Sequence, residues 1–560
     1  MDNVPCQPCW LVALPQELLF GMIDYIDRKR DLYNLSRTCR ALEDVCLRRL
    51  YARVDVEISK DKASSWTTGS LLAVRPHVVH VMKELVIRNG SLDQSKPIYN
   101  RRHASDAGTV EAYATDILEW VPVNQLRALS FLHTAPMSSR VLGVLATNHC
   151  QSLRELAAYD LGCLASQSLN LPNKLTALEC HSMQDGRILE NLVSINRSSL
   201  ERLRIGQEKE LVQQYSQTRV GFLAQAPQSA TLFRSMSLGT LPSLRQLDLC
   251  GVDVSPLVPL EVEDALFFCE LTRISLESCP GSVQLLHCLA NTFNFARDSP
   301  LASNPQPIVQ LKDFLFRSES PTTQVKEALL LFLDSFTGLR TLSLLLENAS
   351  VLERVSTILC QQGPTLETLV LESRIQPRDN LGLDTSRPFG SGGYSQELWE
   401  QAINDICQLC PNLVELGMGF PWDDEVVRLR KTRLPTLPFL KTIHIRNFPE
   451  NHALSQVGDY TIKEYATKFV DWVFPTLVGG SKPALETLAI GPTVYEGRWK
   501  TGSSRRQPAE FQRTHFFGID WGLTRFRRWN FMVSPVSEKY MEELRGQKPL
   551  TGVFEQVWLK

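Results

Sequence analysis

One pattern recurs along most of this chain and constrains its fold more than any other feature. A leucine is followed by two variable residues, a second leucine-type residue, one variable residue and a third apolar residue. The pattern occurs eleven times, as LRALSF, LRELAA, LTALEC, LERLRI, LRQLDL, LTRISL, LRTLSL, LETLVL, LVELGM, LKTIHI and LETLAI. The first leucines are Leu126, Leu153, Leu175, Leu200, Leu244, Leu271, Leu339, Leu366, Leu413, Leu440 and Leu485. Successive separations are 27, 22, 25, 44, 27, 68, 27, 47, 27 and 45 residues, so a unit of about 27 recurs with longer gaps between some copies. Met82-x-x-Leu85-x-Ile87 and Leu311-x-x-Phe314-x-Phe316 are degenerate copies, and the second divides the gap of 68 into 40 and 28.

A short strand turns alternate residues to opposite faces, so the second and third apolar residues of each copy point into one core. Between copies lie helix-like segments, among them Val325 to Phe336, Leu352 to Cys360, Gln396 to Cys410 and Lys463 to Val473. This period and composition resemble leucine-rich repeats, in which stacked strand–helix units bury a continuous core that no unit could bury alone. The resemblance implies an α/β fold: an irregular solenoid over 81–492, with a curved parallel sheet and outer helices. The asparagine ladder of regular repeats is mostly missing, and Leu276-Glu-Ser-Cys279 alone keeps the polar or cysteine position. Residues alternating with the core leucines are expected on the concave face. Arg202, Arg204, Gln246, Asp248, Arg273, Glu277, Glu372, Glu415, His444 and Arg446 are the target-binding candidates there. Their mixed charge suits a protein or peptide partner better than a phosphate backbone.

The N-terminal part has a different period. Leu18, Leu19, Met22, Ile23 and Ile26 follow Leu14-Pro15 at helical spacing, and proline is tolerated in a first helical turn. Asp31 reads as the N-cap of a second helix carrying Leu32, Leu35, Cys39 and Leu42, and a third stretch carries Val45, Cys46, Leu50 and Tyr51. Three short amphipathic helices in about 40 residues bury little surface alone, which leaves apolar positions for a partner. The order Leu14-Pro15-x-Glu17-Leu18-Leu19, Ile23, Asp31-Leu32-x-x-Leu35-Ser36-x-Thr38-Cys39-Arg40 and Leu50-Tyr51 resembles the F-box, over 11–55. That resemblance implies docking to a Skp-type adaptor, and through it to a cullin–RING scaffold. Carried over by position, the adaptor contacts are Leu14, Pro15, Leu18, Leu19, Ile23, Leu32, Leu35, Val45 and Leu50. Sequence alone does not separate those facing the adaptor from those facing the inside of the helical unit.

The remaining segments are read as a tail over 1–10, a connector over 56–80 and a cap over 493–560. The cap's aromatic stretch from Phe511 to Val533 is expected to cover the end of the repeat array. Insertions are expected near 206–240, 292–307 and 376–394, the last rich in turn formers. A 43% apolar fraction with 21% charged residues describes an ordered globular chain, and a net charge of −2 gives no general attraction to nucleic acid or anionic membrane. No basic leader precedes an apolar run, and Ala328 to Phe336 is far shorter than the roughly 20 residues of a membrane span. The chain is therefore expected inside the cell, in cytoplasm or nucleus, with its 14 cysteines reduced and mostly packed as small apolar residues.

Motifs for chemistry are weak. Cys6-x-x-Cys9 has no second ligand pair, His77-x-x-His80 lacks the spacing of a zinc protease, and Gly390-Ser-Gly-Gly-Tyr394 lacks the Lys-Ser/Thr of a phosphate loop. Arg525-Phe526-Arg527-Arg528-Trp529 is one basic–aromatic cluster in a neutral chain. The sequence reading is a non-catalytic protein without metal or cofactor, whose family resemblance implies the substrate receptor of an SCF-type ubiquitin ligase. The alternative is an F-box binding protein or scaffold without a ligase role.

Overall fold

A computed structural model describes residues 14–26, 29–58, 76–89, 107–132, 136–161, 171–182, 186–206, 241–258, 267–298, 309–318, 323–347, 354–374, 396–420, 434–446, 462–474, 482–491, 514–524 and 529–536. The chain divides into two compact units, Met1–Glu208 and Lys209–Lys560. Both are α/β, and the sheet strands follow one another in chain order.

The first unit opens with helices α1 (Gln16–Ile23), α2 (Lys29–Ser36) and α3 (Arg40–Leu50). Pro15 caps α1 from an extended conformation, and its carbonyl accepts the Leu18 and Leu19 N–H groups at 3.0 and 3.2 Å. Helix α2 begins two residues before Asp31, which therefore sits in the first turn instead of at the cap. A carboxylate there still faces the positive end of the helix dipole. Leu19, Ile23, Leu32, Leu42, Val45 and Cys46 form the core of the three helices, and Leu14, Phe20, Ile26, Leu35, Cys39 and Leu50 pack around it. Full burial of one leucine or isoleucine contributes about 1.5–3 kcal/mol relative to exposure.

Strands β1 (Arg53–Ile58), β2 (Glu84–Asn89), β3 (Ala128–Leu132), β4 (Glu155–Asp160), β5 (Ala177–Ser182) and β6 (Arg202–Gly206) follow, all parallel. β1 matches no copy of the leucine pattern and crosses the 55/56 boundary read from the sequence. Its Val54 pairs with Leu85, so it extends the same sheet by one strand. The second unit holds β7 (Gln246–Cys250), β8 (Arg273–Glu277), β9 (Asp313–Ser318), β10 (Thr341–Glu347), β11 (Thr368–Arg374), β12 (Glu415–Met418), β13 (Thr442–Ile445) and β14 (Thr487–Ile490), again parallel. β15 (His515–Leu523) and β16 (Trp529–Val536) then pair antiparallel beyond β14. The aromatic stretch expected as a cap thus supplies two strands. Trp521 is fixed there by a 2.7 Å bond from its indole N–H to the Leu485 carbonyl.

Every copy of the leucine pattern supplies one strand, and the copies are in register. Leu85 pairs with Leu129, Leu129 with Leu156, Leu156 with Leu178 and Leu178 with Leu203. In the second unit the same column runs Leu247, Ile274, Phe314, Leu342, Leu369, Leu416, Ile443 and Leu488. Irregular sequence spacing is absorbed between strands. Helices Thr323–Asp334, Val355–Gln362, Gln396–Leu409 and Ile462–Val473 occupy the segments with helical period. Of the insertion expected at 292–307, residues 292–298 continue the helix Ser282–Asp298, because Phe293 is needed in the core against Phe332 and Phe336. The insertions at 207–240 and 376–394 lie outside the described residues.

Polar brackets tie successive strand openings together. Asn196, four residues before Leu200, accepts the Leu175 N–H at 2.7 Å and donates to the carbonyls of Pro172 and Leu192. Gln362, four residues before Leu366, accepts the Leu339 N–H at 3.2 Å and donates to Leu333 and Phe336. Three residues after each bracket a hydroxyl bonds the carbonyl of the preceding pattern leucine: Ser199 to Leu175 and Thr365 to Leu339. Ser152 bonds Leu126 in the same way, and there His149 takes the bracket position. Most of these are buried backbone groups at helix ends and strand openings that no helix or strand ladder satisfies (the Leu192 carbonyl also accepts the Asn196 N–H), so the side chains close the hydrogen-bond account.

Candidate binding surfaces

Two surfaces follow from this architecture. The first is the outside of the three-helix unit. Leu19, Ile23, Leu32 and Val45 are buried among themselves in the core of the helical unit. Leu14, Leu35 and Leu50 are half-buried at the edge of that core. Pro15 and Leu18 are exposed, Leu18 by 56%, and Met22, Tyr25 and Tyr33 join them at 48%, 88% and 45%. Sequence reasoning missed Met22, Tyr25 and Tyr33 as exposed apolar positions, although 18, 22 and 25 follow one helical stripe and 19, 23 and 26 a neighbouring one about 100° away. These exposed apolar side chains lie on one short helical unit.

The second surface is the face of the strands opposite the leucine column. In the first unit, burial alternates along β3, β4 and β6, leaving this face partly open. Arg202 meets Glu155 at 2.7 Å, each about half exposed. Arg204 meets Glu179 at 3.1 Å, His181 meets the same Glu179 oxygen at 2.8 Å, and the Tyr159 ring stacks on His181 at 6.4 Å. Burial pushes the Glu179 carboxyl up, but the hydrogen bond and charge of His181 and those of Arg204 outweigh it and hold the group at about 2. Since this lies below its ordinary value near 4.5, Glu179 stabilises the folded chain above pH 4.5, and the contribution is lost as pH falls from 4.5 toward 2. Arg204→Ala should move the acid-unfolding midpoint upward, measured by circular dichroism against pH.

In the second unit the same face is closed over several strands, although along β10 Thr341, Ser343 and Leu345 stay partly exposed. β12 and β13 are buried at every position, and β7 and β9 at nearly every one. Asp248, Glu415, His444 and Arg446, expected as accessible target contacts, are 7%, 2%, 0% and 7% exposed. They bond within the unit instead. Arg273 donates to Asp248 at 3.0 Å and Arg446 to Glu372 at 2.6 Å. The Thr368 hydroxyl meets Glu415 at 3.3 Å, and His444 Nε2 lies 2.6 Å from the Gly491 carbonyl. Alternation correctly assigned these side chains to the face away from the leucines but not their exposure. Val370 and Ala489 on the same face pack with Phe516 of β15 and Val536 of β16, forming a second apolar cluster. Arg273 and Glu277 remain partly exposed.

Among the described residues no group of three His, Cys, Asp or Glu side chains is placed to hold a metal ion. Burial pushes the Cys269 thiol up to about 11 and the Cys279 and Cys410 thiols up to about 12, which keeps them protonated at neutral pH. Cys6, Cys9, Gly390 and residues 525–528 lie outside the described residues. No helix among them is long and apolar enough to cross a membrane. Compared with models of protein families and with curated proteins, the sequence matches none.

Proposed function

We propose that the chain is a substrate receptor of an SCF-type ubiquitin ligase. The three N-terminal helices would act as an F-box, docking a Skp-type adaptor and through it a cullin–RING scaffold. The strand units would act as a divergent leucine-rich-repeat solenoid that holds a target protein. The observation that carries this reading is the division of α1 into two stripes. Leu19 and Ile23 close the helical core, while Pro15, Leu18, Met22 and Tyr25 stand outside it. Such a unit is folded and still offers an apolar face.

Target recognition falls to the open strand face of the first unit, around Arg202, Arg204, Tyr159 and His181, because the corresponding face of the second unit is occupied by its own ion pairs. Arginine and tyrosine are the residue types most enriched at interface hot spots. Catalysis on this account is by proximity: the receptor raises the effective concentration of a target lysine near a ubiquitin-loaded enzyme and supplies no reacting group. Affinity capture of the full chain from cells tests the assignment. Adaptor and cullin recovered together are the expected result. Adaptor without cullin would contradict the ligase role, and recovery of neither would overturn the F-box reading.

A further inference from the structure

One of the two bracket positions in the first unit is filled by an imidazole, whereas the other brackets, Asn196 in the same unit and Gln362 in the second, have amides. Asn196 and Gln362 each use an acceptor oxygen and a donor nitrogen, and an amide does not titrate. His149 is fully buried and offers only one bonded atom, Nε2, at 3.2 Å from the Leu118 carbonyl. A carbonyl can only accept, so Nε2 carries the proton and Nδ1 presents a lone pair. That Nδ1 has no hydrogen-bond partner among the described residues. Residues Leu145–His149 also form a π-helical turn, whereas the helices ending at the two amide brackets are α-helical. A π-turn is a costly local distortion, usually retained where a side chain must be placed unusually.

We infer that His149 is an acid-sensitive latch that holds the helical segment 139–149 against helix Ala107–Trp120 when neutral and releases it on protonation. Protonation would add an Nδ1–H donor to a buried site without an acceptor and leave an imidazolium without a counter-charge. The helix packed against it carries Glu111, Asp116 and Glu119, and its own segment carries Arg140. None of these contributes to the proton affinity of His149, which burial lowers and the Leu118 carbonyl partly restores. Its folded-state value therefore lies below the ordinary 6.5, the unfolded chain binds the extra proton first, and stability falls as pH drops below about 6.5.

The test compares the full chain with His149→Asn and His149→Gln at pH 7.0 and 5.5. Hydrogen exchange is read in segment 139–149 relative to segment 186–200, whose bracket is Asn196. The ratio cancels the pH dependence of intrinsic exchange. In the wild type, relative protection of 139–149 should fall on acidification, by up to roughly tenfold, since each pH unit below the unfolded value weighs at most about 1.4 kcal/mol. In either amide variant the ratio should stay constant. A wild-type ratio that does not change between the two pH values overturns the inference even if neither variant folds. An equal fall in wild type and a folded variant overturns it as well.

Discussion

Replacing Gln362 with alanine should destabilise the second unit by about 3 kcal/mol or more. The side chain is fully buried and satisfies three backbone groups at once: the Leu339 N–H and the carbonyls of Leu333 and Phe336. Each buried group left without a partner costs roughly 1–3 kcal/mol, and no water can readily replace the amide in so apolar a setting. Leu333 and Phe336 flank the end of helix Thr323–Asp334, and Leu339 opens the pattern copy that leads into β10, so the loss would loosen one helix–strand junction. Urea unfolding of Gln362→Ala against Gln362→Asn measures it. The shorter amide should recover part of the loss, because Asn196 makes the equivalent bonds in the first unit.

The second large effect concerns binding and should leave stability untouched. Leu18→Gln with Met22→Gln should weaken adaptor binding by at least about tenfold. Each side chain is about half exposed in the free chain, so burying it at an interface contributes roughly 0.8–1.5 kcal/mol, and each 1.4 kcal/mol is a factor of ten. Both residues are about half exposed in the free chain, so the unfolding midpoint should move by no more than about 0.5 kcal/mol. Leu19→Ala provides the contrast. Leu19 is 4% exposed within the helical core, and its truncation should cost about 2–5 kcal/mol of stability.

The strands were legible because their signal is local and strong. A leucine at a fixed phase marks a buried column whatever the length of chain between copies, and each of the eleven copies and both degenerate ones supplies a strand in register. β1 was missed because Arg53-Val-Asp-Val-Glu-Ile58 carries no leucine signature, although its alternation of valine with charge is that of a half-buried strand. The burial of Glu415, His444 and Arg446 was hidden for another reason. Period-2 alternation reports which face a side chain takes, whereas burial depends on partners far away in sequence, such as Glu372 for Arg446 and the Gly491 carbonyl for His444. The bracket positions were present in the sequence as Asn196, Gln362 and His149, always four residues before a pattern leucine and three before Ser or Thr. Three different residue types concealed a shared geometry. The two stripes of α1 could be separated only once the packing of Leu32 and Val45 showed which stripe faces inward.

The central claim is that the exposed stripe of α1 docks an adaptor, and a titration of purified Skp-type adaptor into the purified full chain tests it most directly. The account predicts a saturable one-to-one complex with the wild type and binding at least about tenfold weaker with the Leu18→Gln, Met22→Gln variant, although both unfold at the same midpoint. Absence of a complex with the wild type, or equal affinity for both chains, would contradict it.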